Sequence, residues 1–186
     1  MVKTFDGIYL SVVDKNGRCR LPDNLRNALG ESEEIEFAAS LGMGNCLTMC
    51  DPELMDKRAE EFISSDLTDT DKVAFVRNFF PHRTIIKLDS KGRFIIPKAL
   101  REAVNIQLEK EVYILGAGFW IEIWFKDNYE AARVKEIEDY SNAAVKFYAS
   151  LGRQNTPKNL ENSGRDDESS KRKTPAGNGP ANNRGF

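Results

Sequence analysis

The chain has 186 residues, of which 40% are hydrophobic and 30% charged, and its formal net charge is −2 at pH 7. This length suits one domain of about 150 residues followed by a tail. No run approaches the roughly 20 apolar residues that span a bilayer, and the N-terminus lacks the apolar segment of a signal peptide, so we expect a cytoplasmic protein without membrane contact.

One sixteen-residue segment occurs twice, at residues 14–29 and 89–104. Two copies are too few for a solenoid, so the repeat indicates a duplicated supersecondary unit whose halves pack on each other. At a constant offset of 75 residues, the identical positions are Asp14/Asp89, Gly17/Gly92, Arg18/Arg93, Pro22/Pro97, Leu25/Leu100, Arg26/Arg101 and Ala28/Ala103.

Each copy begins with a strand, a turn and a second strand. Runs rich in β-branched residues at 8–13 and 84–88 predict the first strand. The tetrads Asp-Lys-Asn-Gly and Asp-Ser-Lys-Gly then favour hairpin turns, after which strands are predicted at 18–21 and 93–96. Strand alternation directs Arg18 and Arg20 to one face. The residues predicted to point inward are Cys19, Leu21, Phe94 and Ile96.

A short helix and two further strands complete each copy. Pro22 and Pro97 are predicted at the first helical position, where a missing N–H is tolerated. Strands are expected at 36–38 and 46–50, and at 111–115 and 120–125, with glycine breaks between them. The strand at 120–125 is apolar on both faces, so it lies either between the halves or at a subunit interface. Because one half cannot cover its own sheet, we expect the two halves to interlock into one barrel.

Helices are predicted between the copies and after the second copy. Pro52 begins one helix, Asp69 or Thr70 caps the next, and Pro81 ends it. A helix at 128–151 has near-heptad apolar spacing, which favours a packed or subunit-bridging helix. The chain thus divides into residues 1–80, the first repeat with the inter-repeat helices; 81–152, the second repeat with the C-terminal helix; and 153–186, a polar tail predicted to be disordered.

Charge is distributed unevenly. Residues 83–101 hold six basic side chains against Asp89 alone, whereas residues 51–72 hold eight acidic and three basic side chains. We expect both repeat turns on the positive side of the molecule, where a local basic patch can steer an anionic partner despite the negative net charge.

The sequence lacks the signatures of metal and catalytic chemistry. Three scattered cysteines do not make a disulfide framework, and the single histidine leaves Cys46 and Cys50 without partners for a zinc site. No acid–base pair or activated nucleophile stands at usable spacing. We therefore predict no metal, no cofactor and no enzymatic activity.

The duplicated motif Asp-x-x-Gly-Arg-(x)3-Pro-(x)2-Leu-Arg resembles the MraZ family of the AbrB/SpoVT swapped-hairpin superfamily, over roughly residues 5–140. The resemblance implies an α+β fold: a tandem-repeat, AbrB-like swapped-hairpin β-barrel with flanking helices. It also implies a sequence-specific, DNA-binding transcriptional regulator of the division and cell-wall gene cluster. Such a protein binds double-stranded promoter repeats upstream of its own operon as a homo-oligomeric ring and is nucleoid-associated. One departure is Arg20, which stands where an aliphatic residue is commoner.

The resemblance assigns roles within the two motifs. The residues predicted to contact DNA are Lys15, Arg18, Arg20, Lys91 and Arg93. Arginine suits this role because its planar fork binds phosphates and guanine edges bidentately. The motif-orienting residues are Asp14, Gly17, Asp89 and Gly92. The carboxylates of the two aspartates either orient the arginines or fix the turns. Arg26 and Arg101 either form structural salt bridges or contact DNA.

A second hypothesis is an AbrB-like protein-interaction module, an antitoxin or scaffold without specific DNA binding. Affinity for DNA that falls steeply with salt would favour the regulator, whereas a stoichiometric protein partner would favour the module.

Overall fold

The computed structural model describes residues 4–29, 35–64 and 69–154. From residue 155 onward, the tail that the sequence predicts to be disordered lies outside these described residues. In the described ranges, no helix has both the length and the apolarity needed to cross a membrane.

The described residues form an α+β fold, which confirms the predicted class. The elements in chain order are β1 (Phe5–Val13), β2 (Arg18–Arg20), α1 (Asp23–Asn27), β3 (Ile35–Leu41), β4 (Leu47–Cys50), α2 (Pro52–Ser64), α3 (Thr70–Phe79), a 3-10 turn (Phe80–His82), β5 (Thr84–Leu88), β6 (Arg93–Ile95), α4 (Lys98–Ala103), β7 (Lys110–Gly118), β8 (Trp120–Phe125) and α5 (Lys126–Gln154).

Six strands form one antiparallel sheet in the order β1-β7-β8-β4-β3-β5. The first strand of each copy pairs with a strand of the other copy, β1 with β7 and β5 with β3. The halves therefore interlock by exchanging strands. The sheet is open rather than closed into the expected barrel, because β2 and β6 leave it and pair with each other as a separate two-stranded ribbon.

The turns form where the tetrads predict them, but the strands they join do not pair as a simple hairpin. Asp14 N donates to Arg18 O and Asp89 N donates to Arg93 O, each at 2.8 Å. After each turn, the chain crosses to the opposite copy instead of returning along its own first strand.

Two local predictions need correction. Pro22 and Pro97 precede their helices rather than open them, because their ψ values of 142° and 143° are extended and helical geometry begins one residue later. Strand β7 also continues through the expected glycine break. Gly116 allows this because a Cβ there would lie 2.2 Å from Asp6 N on β1, so only glycine permits the close strand approach.

The main core lies between the sheet and the ribbon with its two short helices. Cys19, Leu21, Phe94 and Ile96 are at most 2% exposed, which confirms their predicted inward orientation. Leu25 and Leu100 from α1 and α4 join the same cluster. Packing these apolar side chains on the sheet therefore holds the opposite, polar face of the ribbon toward solvent.

Helices cover the other face of the sheet. Met55 and Phe79 from α2 and α3 pack on Ala38 and Cys50. Asp69 caps α3 by accepting a hydrogen bond from Asp71 N at 2.9 Å. Of the two predicted caps, Asp69 and Thr70, the structure therefore has the first.

The C-terminal helix begins by packing and then leaves its apolar side chains exposed. Tyr129 packs with Trp124 and Cys46, and this burial of Trp124 favours the first of the two predicted places of its strand, between the halves rather than at a subunit interface. Tyr140, Phe147 and Tyr148 are 60–71% exposed. The compact unit that contains both copies ends at Asp139, within this helix.

Candidate nucleic-acid interface

The two Asp-x-x-Gly-Arg turns have nearly the same geometry. In the first turn, Asp14 Oδ1 accepts hydrogen bonds from Asn16 N and Arg18 N, both at 2.8 Å. In the second turn, Asp89 Oδ1 accepts from Lys91 N and Arg93 N, both at 2.9 Å. The backbone N–H of the motif arginine is the main cause that lowers the pKa of each carboxyl below its ordinary value. Both aspartates thus fix their turns as carboxylates.

The turn glycines meet an arginine from the opposite copy. Gly17 and Gly92 have φ values of +77° and +71°, which favour glycine. A Cβ at Gly17 would lie 3.2 Å from Arg101 Nε, and one at Gly92 would lie 3.1 Å from Arg26 Cδ. Each turn is therefore shaped to receive the helix arginine of the other copy.

Arg26 and Arg101 donate to backbone carbonyls beside the turns, and the Arg26 bond joins the two copies. Arg26 Nη2 donates to Ser90 O at 2.9 Å, and Arg101 Nε donates to Ile96 O at 3.2 Å. Among the described residues, neither forms a salt bridge. Both side chains are half-buried, so a structural role in holding the turns is visible for both.

The ribbon exposes three predicted DNA-contacting arginines on one face. In the β2–β6 register, Arg18 faces Ile95, Cys19 faces Phe94, and Arg20 faces Arg93. The central Cys19 and Phe94 point into the core, whereas the outer pairs are exposed. Pairing of β2 with β6 therefore brings side chains 75 residues apart onto a single basic surface, which we call the arginine ribbon (Arg18, Arg20, Arg93 and Ile95).

The three arginine side chains differ in their contacts with carboxylates. Arg93 Nε and Nη2 both contact Asp89 Oδ2 at 2.8 Å, so Asp89 orients this side chain as well as its turn. Arg20 Nη2 contacts Asp23 Oδ1 at 2.9 Å. Arg18 has no ion pair with any described residue, and Asp14 binds only its backbone N–H. Arg18 is therefore the arginine of this surface that is readiest to take an external anion.

A shallow groove of about 280 Å³ runs beside the ribbon and is lined by Arg18, Arg93 and Lys87, among others. Lys87 was not among the residues singled out from the sequence as DNA contacts, although its place between the inward-facing Ile86 and Leu88 predicts that it points outward. It also forms an ion pair with Glu36 at 2.5 Å. Lys15 and Lys91 are exposed on the two turns.

The cysteines are buried free thiols. Burial raises the pKa of Cys50 to about 11 and also raises the pKa values of Cys19 and Cys46. Within the described ranges, no cluster of three or more histidine, cysteine or acidic side chains is arranged to hold a metal ion.

A duplicated α+β unit with exchanged strands, joined at an arginine-bearing ribbon, defines a tandem swapped-hairpin protein. A family model described as "MraZ protein, putative antitoxin-like" matches the chain twice, at residues 5–78 and 79–146. The chain belongs to the MraZ family.

Several relatives, each named "Transcriptional regulator MraZ", match most of the chain. The protein from Acetivibrio thermocellus is 37% identical over 127 residues, covering 68% of this chain and 85% of the relative. The Heliobacterium modesticaldum protein is 34% identical over 143 residues, covering 77% and 96%. The Caldicellulosiruptor saccharolyticus protein is 37% identical over 141 residues, covering 76% and 92%.

Proposed function

We propose that this protein is a sequence-specific, DNA-binding transcriptional regulator that contacts duplex DNA through the arginine ribbon and its two turns. The observation that carries the proposal is the β2–β6 register, which gathers both copies of the motif on one exposed surface. The relatives' printed name supports the regulatory role.

The register also creates an unfavourable charge arrangement that an anion would relieve. Side chains directly opposite each other in antiparallel strands lie about 4.5–5.5 Å apart at Cβ, and like charges there destabilise the pair. Arg20 and Arg93 stand in this relation, and each has a nearby aspartate that offsets part of the repulsion. A DNA phosphate or a guanine edge accepts hydrogen bonds from such forks and supplies further compensation.

The exposed lysines extend this surface along a duplex. Lys15 and Lys91 project from opposite turns, so they serve as phosphate anchors on either side of the ribbon. Phosphate contacts fix the position of the protein, whereas arginine contacts to base edges provide specificity. The acidic inter-repeat helices account for the negative net charge without opposing the local patch.

A ridge on the edge strand supports self-assembly. Ile8, Leu10 and Val12 alternate along β1 and are each about half exposed, at 48%, 51% and 54%. An apolar edge strand of this kind favours association with another chain. In this proposal, copies form a homo-oligomeric ring on the nucleoid. The ring binds repeats upstream of the protein's own operon in the division and cell-wall cluster. Because the protomers are linked in the ring, binding of one raises the effective concentration of the next and increases the overall affinity.

Arginine substitutions test the DNA-binding role. Arg18→Ala and Arg93→Ala are each expected to weaken binding to DNA from upstream of the protein's own gene by roughly 5- to 150-fold, the range for loss of one good side-chain pairing. The slope of log affinity against log salt should also fall by about one for each lost phosphate contact. Arg77→Ala, on the exposed face of α3, is the matched control and should bind like the unmodified protein. Fluorescence anisotropy measures all three variants, and normal binding by both ribbon variants would refute the assignment.

Self-assembly is tested by Leu10→Lys, which places a charge in the middle of the ridge. We expect a smaller species by analytical ultracentrifugation. Ile63→Lys, at a 61% exposed isoleucine on α2, should leave the sedimentation coefficient unchanged. An unchanged oligomer in the Leu10 variant would remove the ridge from the interface.

A protein-interaction role is the second candidate function. The exposed aromatic side chains of α5, including Tyr140 and Tyr148, favour it because aromatic residues are enriched at interfaces. Co-purification of a stoichiometric partner at low salt, combined with DNA affinity that does not depend on salt, would support this candidate over the regulator.

A further inference from the structure

We infer that the two ends of the arginine ribbon read unlike halves of a DNA site, and that Arg20 fixes the direction in which each protomer lies on the duplex. This inference rests on the proposed DNA-binding function. It follows from a single break in the two-fold symmetry of the exposed face of the two ribbon strands.

The backbone of the ribbon and its turns is symmetric. Leu21 N donates to Gly92 O at 2.9 Å, and Ile96 N donates to Gly17 O at the same distance. Both relations follow from a pseudo-two-fold axis that passes by the central Cys19–Phe94 pair. The axis exchanges Arg18 with Arg93, because these residues are 75 positions apart in the repeat.

The exposed side chains of the two strands break this symmetry at one position, Arg20 and Ile95. The axis relates Arg20 to Ile95, a cation to an aliphatic side chain that is 54% exposed. One end of the ribbon therefore presents Arg20 beside Arg93, and the other end presents Arg18 beside Ile95. A DNA duplex laid across the ribbon meets two guanidinium groups at one end and one at the other.

The chemistry of the two ends selects different DNA groups. Paired guanidinium groups suit a phosphate or the O6 and N7 acceptors of guanine, whereas an exposed isoleucine suits the methyl group of thymine. The carboxylates add to the difference. Asp89 holds Arg93 in a fixed orientation through two contacts at 2.8 Å, whereas the Arg18 side chain lacks an equivalent restraint from Asp14 among the contacts of the described residues. One end of the ribbon thus has an arginine in a fixed orientation, Arg93, and the other end has an arginine that can adjust its orientation, Arg18.

Directed DNA cleavage tests the inference. An iron–EDTA reagent is attached in separate proteins to Lys15→Cys and Lys91→Cys, which lie on opposite turns; the native cysteines are buried and at most 3% exposed, so they should escape labelling. The probe is a duplex enriched by the full-length protein from a randomised library. We expect each reagent to cut mainly on one side of the site, with a side preference of about fivefold or more, the lower range for one good side-chain pairing.

Two substitutions make the exposed strand positions at the two ends equivalent by opposite routes. Arg20→Ile leaves one arginine and one isoleucine at each end, whereas Ile95→Arg leaves two arginines at each end. Both should reduce the side preference toward one, although only Arg20→Ile removes a positive charge. Because these side chains are exposed, both variants should fold, which circular dichroism checks.

The outcomes separate this inference from the function it rests on. Salt-dependent, sequence-selective binding with equal cutting on both sides by each labelled protein would overturn the inference and leave the proposed function standing. Unaltered side preference in Arg20→Ile would overturn the role of Arg20. Failure to enrich any sequence would overturn the proposed function, and the inference with it.

Discussion

Replacement of Gly17 by alanine tests how the opposite copy secures the first turn. An L side chain in the left-handed region costs about 1–2 kcal/mol, and Gly17 has a φ of +77°. The added Cβ would also lie 3.2 Å from Arg101 Nε, which donates to Ile96 O. Disturbing that hydrogen bond costs roughly 0.5–1.5 kcal/mol or more, since the donor is charged. We expect the free energy of unfolding to fall by about 1.5–3.5 kcal/mol or more in total.

Gly118 provides the matched control. Its φ is +76°, yet a Cβ there would meet no atom within 4 Å. Gly118→Ala should therefore lose only the backbone contribution of about 1–2 kcal/mol. Urea unfolding followed by the fluorescence of Trp120 and Trp124 measures both variants. The double variant Gly17→Ala/Arg101→Ala should destabilise less than the sum of its parts, because the contact is already removed.

An equal loss of stability in the two alanine variants would contradict this prediction. That result would mean that the contact between the first turn and Arg101 contributes nothing measurable. Additive effects in the double variant would lead to the same conclusion.

Further predictions concern the core, acid and thiols. Phe94→Ala should lower the unfolding free energy by about 3–5 kcal/mol because the ring is buried, whereas Ile95→Ala should change it by less than about 0.5 kcal/mol; urea unfolding compares them. Asp14 and Asp89 have lowered folded-state pKa values, so their contribution is complete above the ordinary aspartate pKa of about 3.9 and is lost as the pH falls through the folded value. The Asp89→Asn variant should therefore lose less stability than the unmodified protein between about pH 5 and pH 3, and an equal loss would contradict this role. Cys50, with its pKa raised to about 11, should react with iodoacetamide at pH 7.5 only after denaturation, as mass spectrometry would show.

Local sequence patterns were sufficient to predict the turns and the orientation of the side chains that follow them. The spacing of Asp14, Gly17 and Arg18 predicts a tight turn because the carboxylate reaches the following N–H groups and glycine tolerates positive φ. Alternation after the turn predicts that Cys19 points inward and Arg18 outward, and the structure shows both. These features depend on neighbours only a few residues apart, so the sequence alone contains their cause.

The predicted barrel shows where such reasoning stops. A strand pattern specifies two faces but not the strand that pairs with them. Whether the sheet closes depends on contacts between segments far apart in the chain, and here β2 and β6 leave the sheet for each other. The contacts of Arg26 and Arg101 are similarly nonlocal, because Arg26 donates to Ser90 O in the opposite copy and Arg101 lies beside Gly17 of the opposite turn.

The sequence by itself determined a duplicated α+β unit, its turns, and the arginines that follow them. Only the tertiary structure decided that Arg20 faces Arg93, that Arg18 faces Ile95, and that the outer pairs share one exposed surface. The physical reason is that strand pairing is selected by burial of both apolar faces at once: Cys19 and Phe94 reach the common core only when the two copies exchange their strands.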